Sequence, residues 1–395
     1  MVSSPSFFEM RRRNIEDVLA CVRNNAGISR AELSKTLGLA KATVSDIVDE
    51  LTGKTVLEEI GVKESSGGRP AVGLQFNPNY GLVLGVSLDE SEISGCLMNL
   101  DGDTITNFSS RIDHTWNGTK IAEFLSDRLF SALKEENSGI ERILAVGIAV
   151  PGPVSDGAST DEVSSFLETD KVKKILAIRT RCLPVVESNT NMAALAEIRN
   201  SKIKDSELVF VLRIGHKIRS AVMCSGILLN GSGGLSGEFG HLSVPNNKRL
   251  CDCGTRGCID TVASTAAMIK LGQDSGLRVR SIGGLLESAG KDDPVAQAIF
   301  AEAGKAIGFG LGQVINLLAP HAVIVAGPAV KNENLIMRSL RNKVRKCAKL
   351  ENRNNCRIIT GSAAGNSECI GAGLLALKKL DISDACLTAE RVAVG

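Results

Sequence analysis

The stretch between residues 28 and 51 constrains the fold of this chain most, because it places two short helical patterns on either side of a tight turn. Ser29 followed by Glu32 is a capping box, which predicts the start of a helix that ends near Gly38. A second helix is predicted from about Lys41, with apolar residues along one face: Val44, Ile47, Val48 and Leu51. An amphipathic helix over 12–25 precedes both, and the three helices together predict a helix-turn-helix.

A β-wing is predicted directly after these helices, where two strand-like runs flank a glycine-rich loop. The loop carries Lys63 and Arg69, and its Gly-Gly-Arg-Pro tetrapeptide can insert an arginine into a narrow minor groove. The helices alone fit an interaction bundle, and the loop alone fits a hairpin with a solvated arginine. In this order they predict a domain that binds duplex DNA. The predicted DNA contacts are Arg12, Ser29, Arg30, Lys41, Thr43, Ser45 and Arg69.

Charge and composition narrow the class of protein without pointing to DNA by themselves. Residues 1–75 carry ten basic and ten acidic side chains, so the DNA prediction depends on where the cations lie. A chain of 395 residues is too long for one compact core, which predicts two or three domains. Apolar runs fall short of the ~20 residues that span a bilayer, and the N-terminal arginines follow a short apolar patch. We therefore expect a cytoplasmic protein with no membrane partner.

The remaining residues predict an α/β body of two related lobes. Two apolar strand runs with a turn at Asp101 and Gly102 open the first lobe, and a second strand pair occurs at 207–230. Buried strands that end in Pro-Gly or Gly-Pro loops alternate with helices, which places ligand loops at the strand ends. We expect a DNA-binding domain over 1–75, one lobe over 80–200 and the other over 201–395, with a cleft between the lobes.

Four short motifs then occur in a specific order: SSGGRP in the wing, the PGPV loop, GEFGH and, soon after it, CDCGTRGC. In this order they resemble the ROK family of repressors and sugar kinases, over essentially the whole chain. The N-terminal module resembles that of the repressor branch, which the kinases lack. The resemblance implies an N-terminal winged helix-turn-helix followed by a two-lobed actin-like, ribonuclease-H-like ATPase (sugar kinase) fold.

Three thiols stand on one short glycine-rich loop, Cys251, Cys253 and Cys258, and the first of them follows His241 by ten residues. Thiolate and imidazole ligands suit Zn²⁺ in a closed tetrahedral site. Three unpaired thiols in an exposed loop would instead oxidise and add nothing to packing. We therefore predict a structural zinc ion with no open position for a substrate. The family resemblance assigns the same four ligands.

The resemblance also implies a sugar pocket beside the metal. In the family pattern the glutamate and histidine of GEFGH, here Glu238 and His241, bond the sugar hydroxyls. Zinc on one imidazole nitrogen would fix the ring and leave the other nitrogen for a ligand. Asn189 stands at the position of the family's catalytic base, and Ser188 replaces an asparagine expected to contact the sugar. These four residues are the predicted effector contacts.

The same resemblance predicts that phosphotransfer is lost. The run SLDES at 87–91 replaces Asp-x-Gly-Gly-Thr, so carboxylates stand where glycines would let the backbone approach phosphate. The run GHKIR at 215–219 replaces Gly-Thr-Gly-x-Gly. The amide of Asn189 has no useful basicity near neutral pH, which removes general-base catalysis. We expect a degenerate kinase with no catalytic residues, and therefore no enzyme.

Together these observations predict a homodimeric or homotetrameric repressor that docks on half-sites of double-stranded operator DNA. A sugar or sugar phosphate would close the lobes and lower the affinity for the operator. Two alternatives stay open at this point. A ROK-type ATP-dependent sugar kinase that carries a DNA-binding domain would bind nucleotide. A regulator controlled by a partner protein would capture that partner and ignore sugars.

Overall fold

The computed structural model describes residues 6–63, 71–90, 92–113, 115–155, 157–159, 162–204, 207–330, 335–362 and 366–383. Its helices are α1 (Phe7–Asn24), α2 (Arg30–Leu37), α3 (Lys41–Gly53), α4 (Gly118–Glu135), α5 (Glu162–Phe166), α6 (Thr169–Thr180), α7 (Asn189–Asn200), α8 (Asp260–Ala263), α9 (Thr265–Asp274), α10 (Ile282–Gly290), α11 (Pro294–Leu318), α12 (Ile336–Cys347), α13 (Leu350–Asn355) and α14 (Ser367–Lys379). The predicted DNA contact Arg69 lies outside the described residues.

The strands form an N-terminal sheet, one larger sheet in each lobe and a small two-stranded pair. They are β1 (Ile28–Ser29), β2 (Leu57–Lys63), β3 (Ala71–Phe76), β4 (Leu82–Leu88), β5 (Glu92–Asn99), β6 (Thr104–Arg111), β7 (Ile143–Val150), β8 (Val154–Ser155), β9 (Ala158–Ser159), β10 (Val185–Ser188), β11 (Val209–Ile214), β12 (Ile218–Cys224), β13 (Ile227–Leu228), β14 (Ala322–Ala326) and β15 (Arg357–Thr360).

The N-terminal domain has the three predicted helices and a three-stranded sheet in the order β1-β3-β2. Strands β2 and β3 are the two antiparallel arms of the predicted wing. The start predicted for α1 at Arg12 is wrong, because the helix begins at Phe7. Ser6 and Glu9 form a second capping box there, which supplies the hydrogen bonds that start the helix.

Lobe 1 contains a five-stranded sheet in the order β10-β7-β4-β5-β6. Its first three strands are parallel, and the last two add antiparallel neighbours. The opening was predicted as two strand runs with a turn at Asp101 and Gly102. The structure places that turn between β5 and β6 and adds an earlier turn near Asp89, so the two runs form three strands. Helices α4 and α6 cover one face of this sheet.

Lobe 2 contains a second five-stranded sheet in the order β13-β12-β11-β14-β15. The long helix α11 packs with α12 and the sheet around the largest buried cluster of the lobe. By length and composition alone α11 could cross a membrane, but most of it is buried inside this cluster, as in the core helix of a globular domain. Helix α7 covers the opposite face of the sheet.

Helix α14 lies within the range predicted for lobe 2, yet it packs against strands β4 and β7 of lobe 1. Glycines allow this close approach. A Cβ on Gly85 would lie 2.0 Å from the carbonyl oxygen of Cys369, and one on Gly147 would lie 2.0 Å from that of Ala372. Helix α14 also crosses α7, where a Cβ on Gly371 would lie 1.7 Å from the Met192 carbonyl oxygen. The C-terminal helix therefore belongs to the core of lobe 1.

The DNA-binding domain and lobe 1 share one apolar cluster. Its members come from α1, α3, β3, β4, β5 and α14, and include Val22, Phe76, Met98, Leu100 and Ala376. Polar contacts reinforce the junction, since the Arg23 guanidinium lies over the Phe76 ring at 3.9 Å and donates to the Leu100 carbonyl oxygen at 2.9 Å. A continuous buried surface of this kind makes the two units one packed body.

We predict that Gly371→Ala lowers the free energy of unfolding by about 1–3 kcal/mol, because the added methyl forces α14 away from α7. Gly290→Ala is the matched control, since a Cβ there meets open space at the end of α10. Denaturant unfolding followed by circular dichroism measures both changes. Equal stability of the two variants would contradict the close packing of α14 on α7.

Candidate nucleic-acid interface, metal cluster and interlobe pocket

The helix-turn-helix is built from local hydrogen bonds that its sequence specifies. Ser29 caps α2, where its hydroxyl accepts from the Glu32 N–H at 3.3 Å and the Glu32 carboxylate accepts from the Ser29 N–H at 2.8 Å. Gly38 ends α2 in the left-handed conformation with φ of 68°, which glycine adopts without strain. Helix α3 buries the predicted apolar face, Val44, Ile47, Val48 and Leu51. These predictions of the helix-turn-helix are confirmed.

The predicted DNA contacts differ in how exposed their side chains are and in whether those side chains already have partners inside the protein. Lys41 is exposed at the start of α3, while Thr43 and Ser45 are half-buried. Ala40 gives α3 no side-chain cap, so N–H groups of the first turn remain for an outside acceptor. Ser29 is buried and its side chain serves the cap of α2. Arg12 forms an ion pair with Glu16 at 3.3 Å on α1.

Arg30 connects three elements of the domain. Its guanidinium forms ion pairs with Asp49 of α3 at 2.5 Å and with Glu59 of β2 at 3.0 Å. It also donates to the Ser45 hydroxyl at 3.3 Å. The structure therefore gives Arg30 a bridging position beside the predicted recognition helix, with its charge already matched by two carboxylates. The spacing of Arg30 and Asp49 in the sequence gave no sign of this bridge.

We predict that Ser29→Ala lowers the stability of the DNA-binding domain by about 1 kcal/mol, because the first turn of α2 loses its cap. Ser131→Ala, at an exposed position within α4, is the control and should be neutral. Hydrogen exchange of the α2 amides reports the change. A Ser29→Ala protein with unchanged α2 protection would contradict the capping role.

The structure brings the four predicted metal ligands together. The Nδ1 or Nε2 atom of His241 and the Sγ atoms of Cys251, Cys253 and Cys258 all lie within 4.8 Å of one another. The Sγ atoms of Cys253 and Cys258 are 3.7 Å apart, and that of Cys251 is 3.6 Å from His241 Nδ1. This cluster could hold one metal ion.

The loop that carries the thiols is tightly folded. Gly254 and Gly257 have φ values of 85° and 93°, and a Cβ on Gly257 would lie 2.9 Å from the Asn247 carbonyl oxygen. Hydrogen bonds from Thr255 lower the pKa of Cys253 to about 6, while burial raises that of Cys251 to about 11. A cation among the sulfur atoms would favour the thiolate form of every one of them.

The second ring nitrogen of His241 lies beside Glu238, the other residue of the GEFGH motif that is predicted to contact a ligand. This Nε2 atom lies 3.4 Å from Glu238 Oε2, and Glu238 Oε1 forms an ion pair with Arg219 of β12. The structure therefore places Glu238 and His241, the two residues predicted to bond the sugar from this motif, in contact with each other. It also shows that Arg219 already occupies the other oxygen of Glu238.

Asp260 is a polar residue of this region that sequence reasoning missed. It is 9% exposed, and its Oδ1 atom accepts from the Ile218 N–H at 2.6 Å. Burial raises its pKa, while the N–H of Ile218 and the nearby His241, Arg219 and Lys217 oppose that shift. Its place at the start of α8, two residues after Cys258, is the signal that could have identified it.

The two predicted effector contacts in lobe 1 have partners inside the protein. Asn189 is buried and donates from Nδ2 to the Leu88 carbonyl oxygen at 3.0 Å. Ser188 caps α7, where its hydroxyl accepts from the Asn191 N–H at 3.3 Å. Among the described residues, no hydrogen bond joins either of them to Glu238 or His241.

A second polar network that sequence reasoning missed crosses between the lobes. Asn230, in the loop before Glu238, donates from Nδ2 to Glu187 Oε2 at 2.7 Å and accepts from Asn191 Nδ2 at 3.1 Å. Glu187 is 8% exposed and also accepts from the Ser188 N–H at 2.8 Å. This network joins β10 and α7 of lobe 1 to the loop that carries the Glu238 wall of lobe 2.

A winged helix-turn-helix joined to a two-lobed α/β body defines a class, that of DNA-binding proteins with a sugar-kinase-like body. A model of the ROK family matches residues 83–379, and a model described as winged helix-turn-helix DNA-binding matches residues 11–54. The chain belongs to the ROK family. The predicted fold class is thereby confirmed.

The chain is similar to curated repressors over most of its length. It is 29% identical over 356 residues to a putative xylose repressor of Caldicellulosiruptor sp. (strain Rt8B.4), covering 86% of this chain and 89% of that one. It is 26% identical over 364 residues to the xylose repressor of Bacillus subtilis, covering 92% and 94%. It is 23% identical over 360 residues to the DNA-binding transcriptional repressor Mlc of Escherichia coli, covering 86% and 87%.

Solved structures share the fold. A ROK family transcriptional regulator, described as a homolog of the E. coli Mlc protein, has a TM-score of 0.75 at 22% identity and covers 97% of this chain and 99% of that one. The ROK hexokinase of Thermus thermophilus has a TM-score of 0.63 at 22% identity and covers 77% of this chain and 99% of its own. The regulator therefore matches both the N-terminal domain and the body. The kinase matches about as much of the chain as the body alone occupies.

Proposed function

We propose that this protein is a repressor of sugar-metabolism genes, which binds double-stranded operator DNA and releases it when a small-molecule sugar or sugar phosphate binds the body. The observation that carries the proposal is the winged helix-turn-helix packed onto a ROK body through one continuous apolar cluster. The curated relatives, which include xylose repressors and Mlc, support it. Such a protein acts in the cytoplasm, where its DNA is.

In this proposal α3 enters the major groove. Lys41 binds a phosphate, and Thr43 and Ser45 face base edges or phosphates. The wing arginine Arg69 enters the minor groove. Arg12, Ser29 and Arg30 support the interface, the last two through the cap and the ion pairs described above. A homodimer or homotetramer would place two recognition helices on half-sites about 34–36 Å apart.

We predict that Lys41→Ala weakens operator binding and makes the slope of log K against log salt shallower by about 0.9, because one phosphate contact is lost. Lys291→Ala removes an exposed lysine of lobe 2 and should change neither quantity. Fluorescence anisotropy over a range of salt concentrations measures both. An unchanged salt slope for Lys41→Ala would remove this residue from the interface.

The pocket between the lobes is the proposed effector site, with Glu238, His241, Asn189 and Ser188 as contacts. Asp260 joins them because its buried carboxylate lies beside the GEFGH motif, where a Cβ on Gly240 would be 3.0 Å from Asp260 Oδ1. Carboxylates, an amide and an imidazole are the side chains that bond sugar hydroxyls as donors and acceptors. The Glu187–Asn230 hydrogen bond across the lobes would respond to closure around a ligand.

The body is proposed to lack phosphotransfer. In the turn after β4, the Asp89 N–H donates to the Glu92 carbonyl oxygen at 3.0 Å, and the Glu90 N–H donates to the Asp89 carboxylate at 2.8 Å. Both N–H groups therefore already donate to acceptors inside the protein. A phosphate-binding turn would instead leave such groups free to donate to a ligand. Asn189, at the position of the base, uses its amide to bond the Leu88 carbonyl oxygen.

We predict no turnover of ATP with glucose, xylose or N-acetylglucosamine above the enzyme-free background in a coupled assay. Isothermal titration should likewise show no ATP binding, because the turn groups are occupied and flanked by carboxylates. A known ROK glucokinase in the same assay is the positive control. Phosphorylation of any of these sugars at a kinase-like rate would overturn the repressor-only proposal.

The metal cluster is proposed to hold one structural Zn²⁺. Tetrahedral zinc with Zn–S bonds of about 2.3 Å has S···S edges of about 3.8 Å and slightly shorter S···N edges. The observed 3.7 Å and 3.6 Å separations fit such a tetrahedron. His241 would coordinate through Nδ1, which leaves Nε2 on the Glu238 side. The ion would supply rigidity to the pocket wall, and the four residues of the cluster fill its coordination sphere.

We predict that the purified chain contains one zinc ion and that Cys258→Ser loses it together with stability, because structural zinc contributes directly to folding. Cys347→Ser, outside the cluster, should keep the metal. Elemental analysis and thermal unfolding with and without a chelator measure the effect. A wild-type chain that takes up no zinc and gains no stability from it would refute the assignment.

The proposal as a whole is tested by fluorescence anisotropy with duplex DNA from upstream of the protein's own gene. The DNA is titrated with the full chain alone and then with a panel of sugars and sugar phosphates. Tight, sequence-specific binding that one compound releases supports the proposal. Absence of specific binding to duplex DNA would contradict it, and tight binding that no compound releases would contradict its effector part.

A further inference from the structure

The solvent-facing side of helix α3 carries side chains that differ from the predicted DNA contacts. Ala42, Asp46 and Asp49 are exposed and follow one another at intervals of four and three residues, which places them in one stripe along the helix. The stripe lies opposite the four apolar residues that α3 buries, and Lys41 and Ser45 lie on one flank of it. When a recognition helix enters the major groove, its uncovered side faces the base edges. In α3 that side is the stripe.

The carboxylates of α3 differ in whether a cation matches them, and this matters because phosphates border the groove. Asp49 is matched by Arg30, whose Nη1 atom lies 2.5 Å from Asp49 Oδ1. Glu50, beside the stripe, is matched by two cations, one from α1 and one from the C-cap of α3. Among the residues that the structure describes, Asp46 has neither an ion pair nor a side-chain hydrogen bond. It is therefore the one carboxylate of α3 that no cation matches within the described part of the chain.

An unmatched carboxylate in the major groove needs a hydrogen-bond donor, because an ionised carboxylate only accepts. The groove offers two kinds of donor, the N4 amino group of cytosine and the N6 amino group of adenine. Adenine also presents the acceptor N7 beside its amino group, and guanine and thymine present acceptors there. Cytosine is thus the base whose own edge offers a carboxylate a donor and no acceptor.

Building on the DNA-binding role proposed above, we propose that Asp46 reads a cytosine in each operator half-site by accepting a hydrogen bond from its N4 amino group. Asp46 determines the sequence, whereas Lys41 on the flank binds a phosphate and supplies affinity. An aspartate side chain is short, so the helix must approach the bases closely. Ala42, one turn earlier on the stripe, permits this approach because its side chain is a single methyl group.

Arg30 restricts this role to one of the two aspartates. Its guanidinium bonds Asp49, Glu59 of β2 and the Ser45 hydroxyl at the same time. A base donor would have to compete with that positive charge for the Asp49 carboxylate. Asp46 has no such competitor. Repulsion from the phosphates then disfavours Asp46 opposite every base that offers it no donor, and a penalty of this kind produces specificity.

The test compares the operators that the full-length, zinc-loaded chain and its Asp46 variants select from a library of random duplex DNA. Fluorescence anisotropy then measures the affinity for the selected operator and for each of its single-base-pair variants. We expect the wild type to require cytosine at one position of each half-site, and to lose about tenfold or more in affinity when that C·G pair becomes T·A. Replacing the cytosine with pyrimidin-2-one, which lacks the amino group, should also weaken binding.

Two substitutions of the same residue separate base reading from a general effect of charge. Asp46→Ala should abolish the preference at that position and leave the other positions unchanged. Asp46→Asn should change the preferred base from cytosine to adenine, because a side-chain amide donates to N7 of adenine and accepts from its N6 amino group. Asp127→Asn, which removes an exposed carboxylate of α4, is the matched control and should alter no preference. Unchanged circular dichroism shows that each variant is folded.

A wild-type operator with no required cytosine, or unchanged preferences in both Asp46 variants, would overturn the inference. A uniform gain in affinity of Asp46→Ala for all sequences, with no change of preference, would also overturn it, because the carboxylate would then only repel phosphates. In these cases the wild type still selects a sequence, so the DNA-binding role stands. If the folded wild type selects no sequence at all, the inference and the DNA-binding role fail together.

Discussion

The apolar cluster shared by the DNA-binding domain and lobe 1 is the interaction on which the rest of the structure depends. A helix-turn-helix of this size buries little surface by itself, and its helices α1 and α3 belong to one apolar cluster with residues of β3, β5 and α14. Arg23 closes the edge of the cluster through the Phe76 ring and the Leu100 carbonyl group. The domain that carries the recognition helix is therefore held against the body by packing and not only by the connecting chain.

Helix α14 gives this shared core its connection to the pocket. Its first turn holds Glu368, the partner of Arg213 in lobe 2. Its middle packs on the sheet of lobe 1 through positions where only glycine fits on the facing strands. Beyond its end, Ser383 donates to Glu16 of α1 at 3.3 Å. One helix thus contacts both lobes and the DNA-binding domain, so the lobe closure proposed above would reach the domain through packed elements.

Local patterns in the sequence predicted the local structure well. The capping box at Ser29 and the apolar stripe of α3 fix the helix-turn-helix, and the spacing of the three cysteines brings the four metal ligands together. Features that depend on distant residues were not predictable in this way. The packing of α14 on lobe 1 and the bridge made by Arg30 join residues that are far apart in sequence. The pairing of Arg213 with Arg219 depends on the register of two strands, which no local pattern specifies.

Native-state hydrogen exchange of the full-length chain, followed as denaturant is raised, tests the shared core most directly. If the DNA-binding domain and lobe 1 are one packed body, amides in α1 such as Val18 and Val22 open together with those of Val83 and Met98, with the same free energy and the same denaturant dependence. The account predicts this single opening. An α1 that opens separately, at much lower free energy and with the lobe 1 strands still protected, would contradict it.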